Sequence, residues 1–153
     1  MSCVSCGPYG PIYTQGPADL SKSAMFVLKS EEKSLLRNSS YVLGEIDGVA
    51  RGPASTFPNG EKGIAVPPGE HQITVAMFHS SPESGGGMVT AEAMIPLKVE
   101  TGTVYEPTGS VFGKQRADFW IRERGTGTKA SKVVSVVPKS FGPYVGPLIL
   151  PAD

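Results

Sequence analysis

The sequence predicts an all-β protein, an antiparallel two-sheet β-sandwich of about seven to nine strands with extended tails rich in glycine and proline. Apolar and polar residues alternate along several short stretches, which is the period of a half-buried strand. Turn-forming pairs such as Asp47-Gly48 separate these stretches. The 19 glycines and 14 prolines lie mainly at turns and in both tails. This distribution favours many short strands over a collagen-like or wholly disordered chain.

Length and charge restrict the domain organisation and the partners. With 153 residues the chain fits one domain. The 14 basic and 14 acidic residues balance and form no basic cluster, so the chain lacks the positive surface that nucleic acid or an anionic membrane requires. No apolar run approaches the roughly 18 residues that span a bilayer. We predict a sandwich domain at 24–137, a tether at 1–23 and a tail at 138–153.

The clearest turn lies in the stretch 63–78, where two alternating runs flank Pro67-Pro68-Gly69. Ile64 and Val66 share one parity before the turn, and Ile73, Val75 and Met77 share one parity after it. Proline fixes φ and lacks an N–H, whereas glycine adopts positive φ without steric cost. We therefore predict a β-hairpin or a tight β-corner here.

The first half of the chain contains three further predicted strands. Residues 24–29 are apolar and rich in strand-forming residues, and a charged loop is predicted at 30–39. Residues 41–46 alternate up to the Asp47-Gly48 turn, after which Val49 begins a return strand that ends before Pro53. Residues 55–62 are predicted to form a loop.

The second half carries the longest strand. A mobile loop is predicted at 79–87 because it contains three consecutive glycines. In the strand at 88–100 one parity is apolar throughout, and Pro96 places this strand at an edge or a bulge. Further strands are predicted at 104–106, 115–124 and 133–137, the first ending at Pro107. The apolar parity of the long strand consists of Val89, Ala91, Ala93, Ile95, Leu97 and Val99.

Trp120 is the candidate for a binding face. If Phe119 and Ile121 point inward, Trp120 points outward with Asp118 and Arg122, an arrangement that stacks on sugar rings or anchors a partner protein. The competing interpretation, which we favour, reverses the parity or covers Trp120 with a loop or a second sheet.

No catalytic or metal-binding motif is recognisable. His71 and His79 have the same strand parity, but eight extended residues separate them by about 26 Å, which is too far to share a metal or a proton. We predict His71 to be a strand-start residue at a surface rim. We expect no metal, no cofactor and no enzymatic activity.

Both cysteines, Cys3 and Cys6, lie at the N-terminus. Their spacing invites a redox or zinc interpretation, but neither the four ligands of zinc nor a thioredoxin-like strand and helix accompany them. We expect instead that Cys3 is the lipidated cysteine of a lipoprotein, with a secretory signal upstream and the tether as a spacer. The alternatives are two inert thiols and a cytoplasmic protein.

The succession of an Ile-Asp-Gly turn, IAVPPGEHQITV, a long strand ending in VETGTVYEP, and ADFWIRERGTGTK resembles small bacterial envelope lipoproteins with PEGA-type domains. The resemblance covers roughly Tyr41 to Lys129. It implies a non-enzymatic β-sandwich at the cell envelope or in the periplasm. The missing signal segment and the tails depart from the pattern.

We therefore expect a structural or protein-interaction domain of the envelope, with a carbohydrate-binding module using Trp120 as the alternative. The partner is an envelope protein or a glycan. Strand edges, the loop 79–87 and the two Gly-Pro-Tyr tails are the expected contact regions, because unpaired edges and flexible loops are where sandwiches recruit partners.

Overall fold

The computed structural model describes residues 21–33, 37–50, 55–56, 62–80 and 88–141. Throughout these residues the regular structure is β, and two sheets pack together as the predicted sandwich. In spatial order, sheet 1 contains β11 (Val134–Val136), β10 (Arg116–Glu123), β9 (Val104–Phe112), β1 (Ala24–Val27), β6 (Lys62–Val66) and β5 (Ser55–Thr56).

Sheet 2 contains β12 (Lys139–Phe141), β8 (Met88–Val99), β7 (Gly69–Ser80), β3 (Asn38–Ile46) and β2 (Lys29–Lys33), with β4 (Val49–Ala50) beside β3. The strands outnumber the prediction because several of them have only two or three residues. The described part of the chain has no helix that could cross a membrane.

The core consists of the inward faces of both sheets. The apolar parity predicted for β8 is confirmed, since Ile95 is fully buried whereas Met94 on the opposite parity is 56% exposed. Burial of each large apolar side chain contributes about 1.5–3 kcal/mol. The largest of the fully buried side chains are Tyr41, Phe26, Phe119, Met25, Leu43, Ile46, Ile64, Ile73, Met77, Ile95 and Ile121.

Pro67-Pro68-Gly69 forms a tight β-corner, one of the two structures predicted for it; the other was a β-hairpin. β6 pairs with β1 in sheet 1, whereas β7 pairs with β3 and β8 in sheet 2, so the chain changes sheets here. Gly69 has a φ of 124°, which favours glycine. The turn therefore connects the two layers and does not close a hairpin.

The Asp47-Gly48 hairpin is confirmed between β3 and β4, where Ile46 pairs with Val49. Asp47 and Gly48 have φ angles of 56° and 78°, the two positive values of a type I′ turn. The Asp47 carboxylate accepts a hydrogen bond from the backbone N–H of Gln72, at 2.8 Å. The turn is thereby attached to the beginning of β7.

The prediction of a charged loop at 30–39 is wrong. Residues 29–33 form β2, which pairs with β3 along the edge of sheet 2. Strand pairing uses backbone groups, so an edge strand tolerates a charged sequence that cannot contribute to the core. The chain bends at Leu28 between β1 and β2 and so passes from sheet 1 to sheet 2.

The prediction that this strand ends at Pro107 is also wrong, because β9 continues to Phe112. β9 pairs with β1 in parallel, whereas the other described strand pairs are antiparallel. This pairing involves only Val104 and Tyr105 of β9. Beyond Tyr105 that side of β9 has no ladder neighbour among the described strands. Pro107 therefore removes no ladder hydrogen bond there, and its carbonyl accepts one from the Ser30 hydroxyl.

Several boundaries differ from the prediction. Ser55–Thr56 form β5 within the predicted loop 55–62, because they pair with the beginning of β6. β7 continues to Ser80, so His79 belongs to a strand and not to the loop predicted to begin there. Residues 81–87 lie outside the described residues. β12 pairs with the beginning of β8, so sheet 2 extends into the predicted C-terminal tail. Pro96 lies on the part of β8 that β12 does not flank, in agreement with its predicted edge position.

Candidate functional site

The three residues of the predicted binding face lie together on the outer side of β10. Phe119 and Ile121 are fully buried, so Asp118, Trp120 and Arg122 point away from the core. Trp120 is half-buried. We call these three outward residues the β10 face.

Every member of the β10 face contacts another side chain of the same chain. The Lys129 ammonium lies over the Trp120 ring, 4.6 Å from its centroid. Asp118 accepts a hydrogen bond from the Ser135 hydroxyl at 2.7 Å. Arg122 donates to the Glu106 carboxylate at 2.5 Å. The segment that follows β10 thus covers part of the indole ring, as a covering loop was expected to do.

His71 and His79 remain at opposite ends of β7, so they share no site. The two ring nitrogens of His71 both have partners: Nδ1 lies 2.7 Å from an Asp47 carboxylate oxygen, and Nε2 lies 2.9 Å from the Pro67 carbonyl oxygen. His71 is thereby a structural residue of the corner between the sheets, at the beginning of β7 where the sequence placed it.

A polar cleft of about 440 Å³ opens at the end of the sandwich. One wall is the end of sheet 2, where β3 begins and β7 ends, and the other is the end of β9 in sheet 1. We call this site the polar cleft. Its lining consists of Glu32, Lys33, Arg37, Ser39, Tyr41, His79, Gly109, Ser110, Val111 and Phe112.

A buried hydrogen-bonded group forms the floor of the polar cleft. Ser39 and His79 are paired residues of β3 and β7, and the Ser39 hydroxyl lies 2.6 Å from His79 Nδ1. Tyr41, two residues further along β3, also bonds through its side chain to Ser39. All three are less than 10% exposed. Buried polar groups of this kind are costly unless they are hydrogen-bonded, and here they satisfy one another.

Burial raises the pKa of the Tyr41 phenol to about 12. The Ser39 hydrogen bond opposes this increase, and the negative charges of Glu32 and Asp118 add to it. The phenol therefore stays neutral at physiological pH and can both donate and accept a hydrogen bond.

The raised pKa predicts a loss of stability in alkali. Because the folded state holds the phenol proton more tightly than the unfolded state, Tyr41 contributes full stability below about pH 10 and loses it as the pH rises through 12. Urea unfolding at a series of pH values should show the wild type losing stability relative to Tyr41→Phe above pH 10. Parallel pH profiles for the two proteins would contradict the assignment.

Charged and aromatic side chains form the rim of the polar cleft. Lys33 and Arg37 are the basic residues of the rim, and the Lys33 ammonium lies 3.5 Å from a Glu31 carboxylate oxygen. Glu32 is 3.6 Å from the Arg122 guanidinium. The Phe112 ring is 47% exposed, and the Arg116 guanidinium lies 4.3 Å from its centroid. The rim therefore combines ion-paired side chains with an exposed aromatic ring.

Sequence reasoning missed the polar cleft because its residues come from four separate strands. One signal was present: the inward parity of Ile73, Val75 and Met77 continues to His79. An inward polar residue at the end of an apolar series marks the point where the sheets no longer cover each other. Assigning His79 to a loop concealed that signal.

The described residues contain no group of three His, Cys, Asp or Glu side chains that could hold a metal ion. Cys3 and Cys6 lie outside the described residues. Comparison of the chain with protein-family models, with curated proteins and with solved structures finds no match.

Proposed function

We propose that this chain is a non-enzymatic interaction domain of the cell envelope, anchored through Cys3, that docks with the outer face of sheet 2. The observation that carries the proposal is an apolar surface on β7 and β8. Phe78, Met88 and Met94 lie on this face and are 42%, 43% and 56% exposed. Exposed apolar side chains gathered on one face are typical of protein-binding surfaces.

The strand register places these side chains on one face, on which Thr90 and Glu92 lie between Met88 and Met94. Phe78 pairs with Thr90 and lies between Met88 and Met94 along the neighbouring strand. Ala76 and Val137 border a groove of about 490 Å³ beside Phe78. The surface is a continuous part of a sheet, so a second sheet could pack against it as the two sheets of the sandwich pack.

The occupant that this face fits best is a second copy of the chain. Glu92 and Lys139 border the same groove, with opposite charges. A twofold axis would bring Glu92 of each copy to Lys139 of the other, as an isologous interface requires. The formal net charge of zero adds no long-range repulsion between copies.

Sedimentation velocity over a concentration series tests this proposal. The wild type should show a monomer–dimer equilibrium, and Phe78→Glu should weaken association at least about tenfold because it places a charge in the interface. Phe112→Glu is the matched control: Phe112 is similarly exposed but lies at the polar cleft, so dimerisation should not change. A wild type that is monomeric at every concentration would refute the second-copy assignment.

The histidine contacts support the non-enzymatic part of the proposal. Both ring nitrogens of His71 are bonded, so this residue does not offer a base to a substrate. Ser39 and His79 resemble a nucleophile and base, but the Ser39 hydroxyl is also bonded to Tyr41. Hydrolase activity that Ser39→Ala or His71→Ala abolishes, with the fold intact, would overturn this part.

Carbohydrate binding by the β10 face is the second candidate function. Its support is the outward, half-buried indole of Trp120 between Asp118 and Arg122 on the same side of the strand. Lysine side chains are long and flexible, so a sugar ring could replace Lys129 over the indole. If this function is present, Trp120→Ala should abolish binding to a glycan array while the melting temperature stays unchanged. Equal binding by the variant would exclude Trp120 as the sugar platform.

A further inference from the structure

The strand β9 has an open edge along the polar cleft. Beyond Tyr105, the side of β9 that faces away from β10 has no ladder neighbour among the described strands. Thr103 and Pro107 direct their carbonyl groups to this side, where β1 and β2 supply the donors. Because the backbone groups of successive residues alternate between the two sides of a strand, Gly109 and Val111 direct theirs to the same side.

Gly109 and Val111 therefore present four backbone groups at this edge, an N–H and a C=O from each residue. Among the described residues, no hydrogen bond is made to these groups from this side. Both residues are half-buried and line the polar cleft. We call these two residues the open edge. Unpaired N–H and C=O groups on a strand edge are a template for another extended segment.

The side chains of the polar cleft do not compete for such a segment. The floor groups Ser39, Tyr41 and His79 are hydrogen-bonded within the protein, and the rim has ion pairs at Lys33 and Glu32. Covering polar groups that are already bonded costs little, whereas a half-buried backbone group without a partner is costly. The cleft thus suits an occupant that bonds to the backbone of β9.

The chain contains a segment whose length matches the open edge. Leu148, Ile149 and Leu150 stand between Pro147 and Pro151. In an extended conformation, the first and third of these residues direct their N–H and C=O groups to one side, which gives four groups for the four of the open edge. The flanking prolines have no N–H, so a ladder with this segment ends after three residues.

The strand register places this segment within reach of the polar cleft. Residues 142–153 lie outside the described residues and follow Phe141, which pairs with Met88. Met88 pairs with Ser80 and Ser80 with Asn38, so β12 ends at the same end of the sandwich as the cleft. From there the open edge is about four strand spacings and one sheet separation away, roughly 22 Å in a straight line. The seven residues from Phe141 to Leu148 span at most about 24 Å.

We propose that residues 148–150 pair with the open edge of β9 in the same chain, with Leu148 opposite Val111 and Leu150 opposite Gly109. The pairing is antiparallel, because the segment arrives at the end of the sandwich where β9 ends. Each of the two pairs exchanges two backbone hydrogen bonds. The two leucine side chains then cover the floor of the polar cleft, and Ile149 points away from it.

Hydrogen–deuterium exchange of the full chain, followed by ¹H–¹⁵N NMR, tests the proposal. In the wild type, the amide protons of Gly109 and Val111 should exchange at least about tenfold more slowly than in Leu148→Pro, because this variant lacks an N–H that faces β9. Ile149→Pro is the matched control. It adds the same ring one residue away, where the N–H faces away from β9, so the slow exchange should persist. Unchanged exchange of the central strand β7 will show that both variants are folded.

The same measurement separates this proposal from its alternatives. Equal exchange of the Gly109 and Val111 amides in the wild type, Leu148→Pro and Ile149→Pro would overturn it. Slow exchange that is lost on dilution would also overturn it and assign the open edge to the segment of a second copy. Phe78→Glu should leave the exchange unchanged, because Phe78 lies on the outer face of sheet 2 and the proposed dimerisation is independent of the open edge. Faster exchange at the open edge in Phe78→Glu would contradict the same-chain pairing.

Discussion

Replacing Ile95 by aspartate should unfold the protein or destabilise it by about 4 kcal/mol or more. Ile95 is fully buried on the inward face of β8 and belongs to the main core cluster. A carboxylate there would lie between the two sheets among apolar side chains. Since the desolvation cost of an unpaired charge exceeds the whole contribution of one apolar side chain, the fold cannot compensate for it.

Urea unfolding monitored by circular dichroism measures this effect. Met94→Asp is the matched control, because it introduces the same charge one residue away on the exposed side of β8. It should cost less than about 1 kcal/mol. Ile95→Val, expected to cost about 1 kcal/mol, keeps the position measurable if the aspartate variant does not fold. Similar losses for Ile95→Asp and Met94→Asp would disprove the assignment of the inward face.

Replacing Gly109 by alanine should cost about 3 kcal/mol although it adds only one methyl group. A Cβ atom at Gly109 would overlap the backbone carbonyl oxygen of Asp118 on β10 and would lie 2.8 Å from Cε1 of Tyr41. The carbonyl belongs to a central pair of strands and cannot move without disturbing the ladder. Gly109 is therefore required for the close approach of β9 to β10 and to Tyr41.

Gly125→Ala is the control for this substitution. A Cβ atom at Gly125 meets nothing within 4 Å, and its backbone is not in the left-handed region. The free energy of unfolding of Gly125→Ala should differ from that of the wild type by no more than about 0.5 kcal/mol. Thermal unfolding of the two variants side by side measures the difference, and a Gly109→Ala protein as stable as Gly125→Ala would rule out the close approach. Because the added Cβ atom would lie against Tyr41, the substitution should also displace this side chain, which lines the polar cleft with Gly109.

Much of the β10 face was predictable, and little of the polar cleft was. Alternation alone placed Asp118, Trp120 and Arg122 on one side of a strand, because side-chain direction along a strand follows from the backbone. The same pattern could not show that Lys129 covers Trp120, since this contact depends on how the chain returns after β10.

Sequence patterns were sufficient to predict the fold class, the inward parity of β8 and the turn at Asp47-Gly48. For β10 they separated the two faces of the strand without showing which face points inward. These features are local: strand periodicity and the φ requirements of turn residues act over a few neighbouring positions. For the same reason Pro67-Pro68-Gly69 was recognisable as a turn, while its two possible structures stayed open.

Three features depend on tertiary contacts: the corner in place of a hairpin at Pro67-Pro68-Gly69, the strand formed by the charged residues 29–33, and the continuation of β9 through Pro107. Each depends on which strand lies beside which: an edge position accepts charges, and a side without a ladder neighbour accepts proline. The polar cleft has the same origin. Ser39 and His79 are far apart in the chain, and the pairing of β3 with β7 brings them together where the two sheets separate.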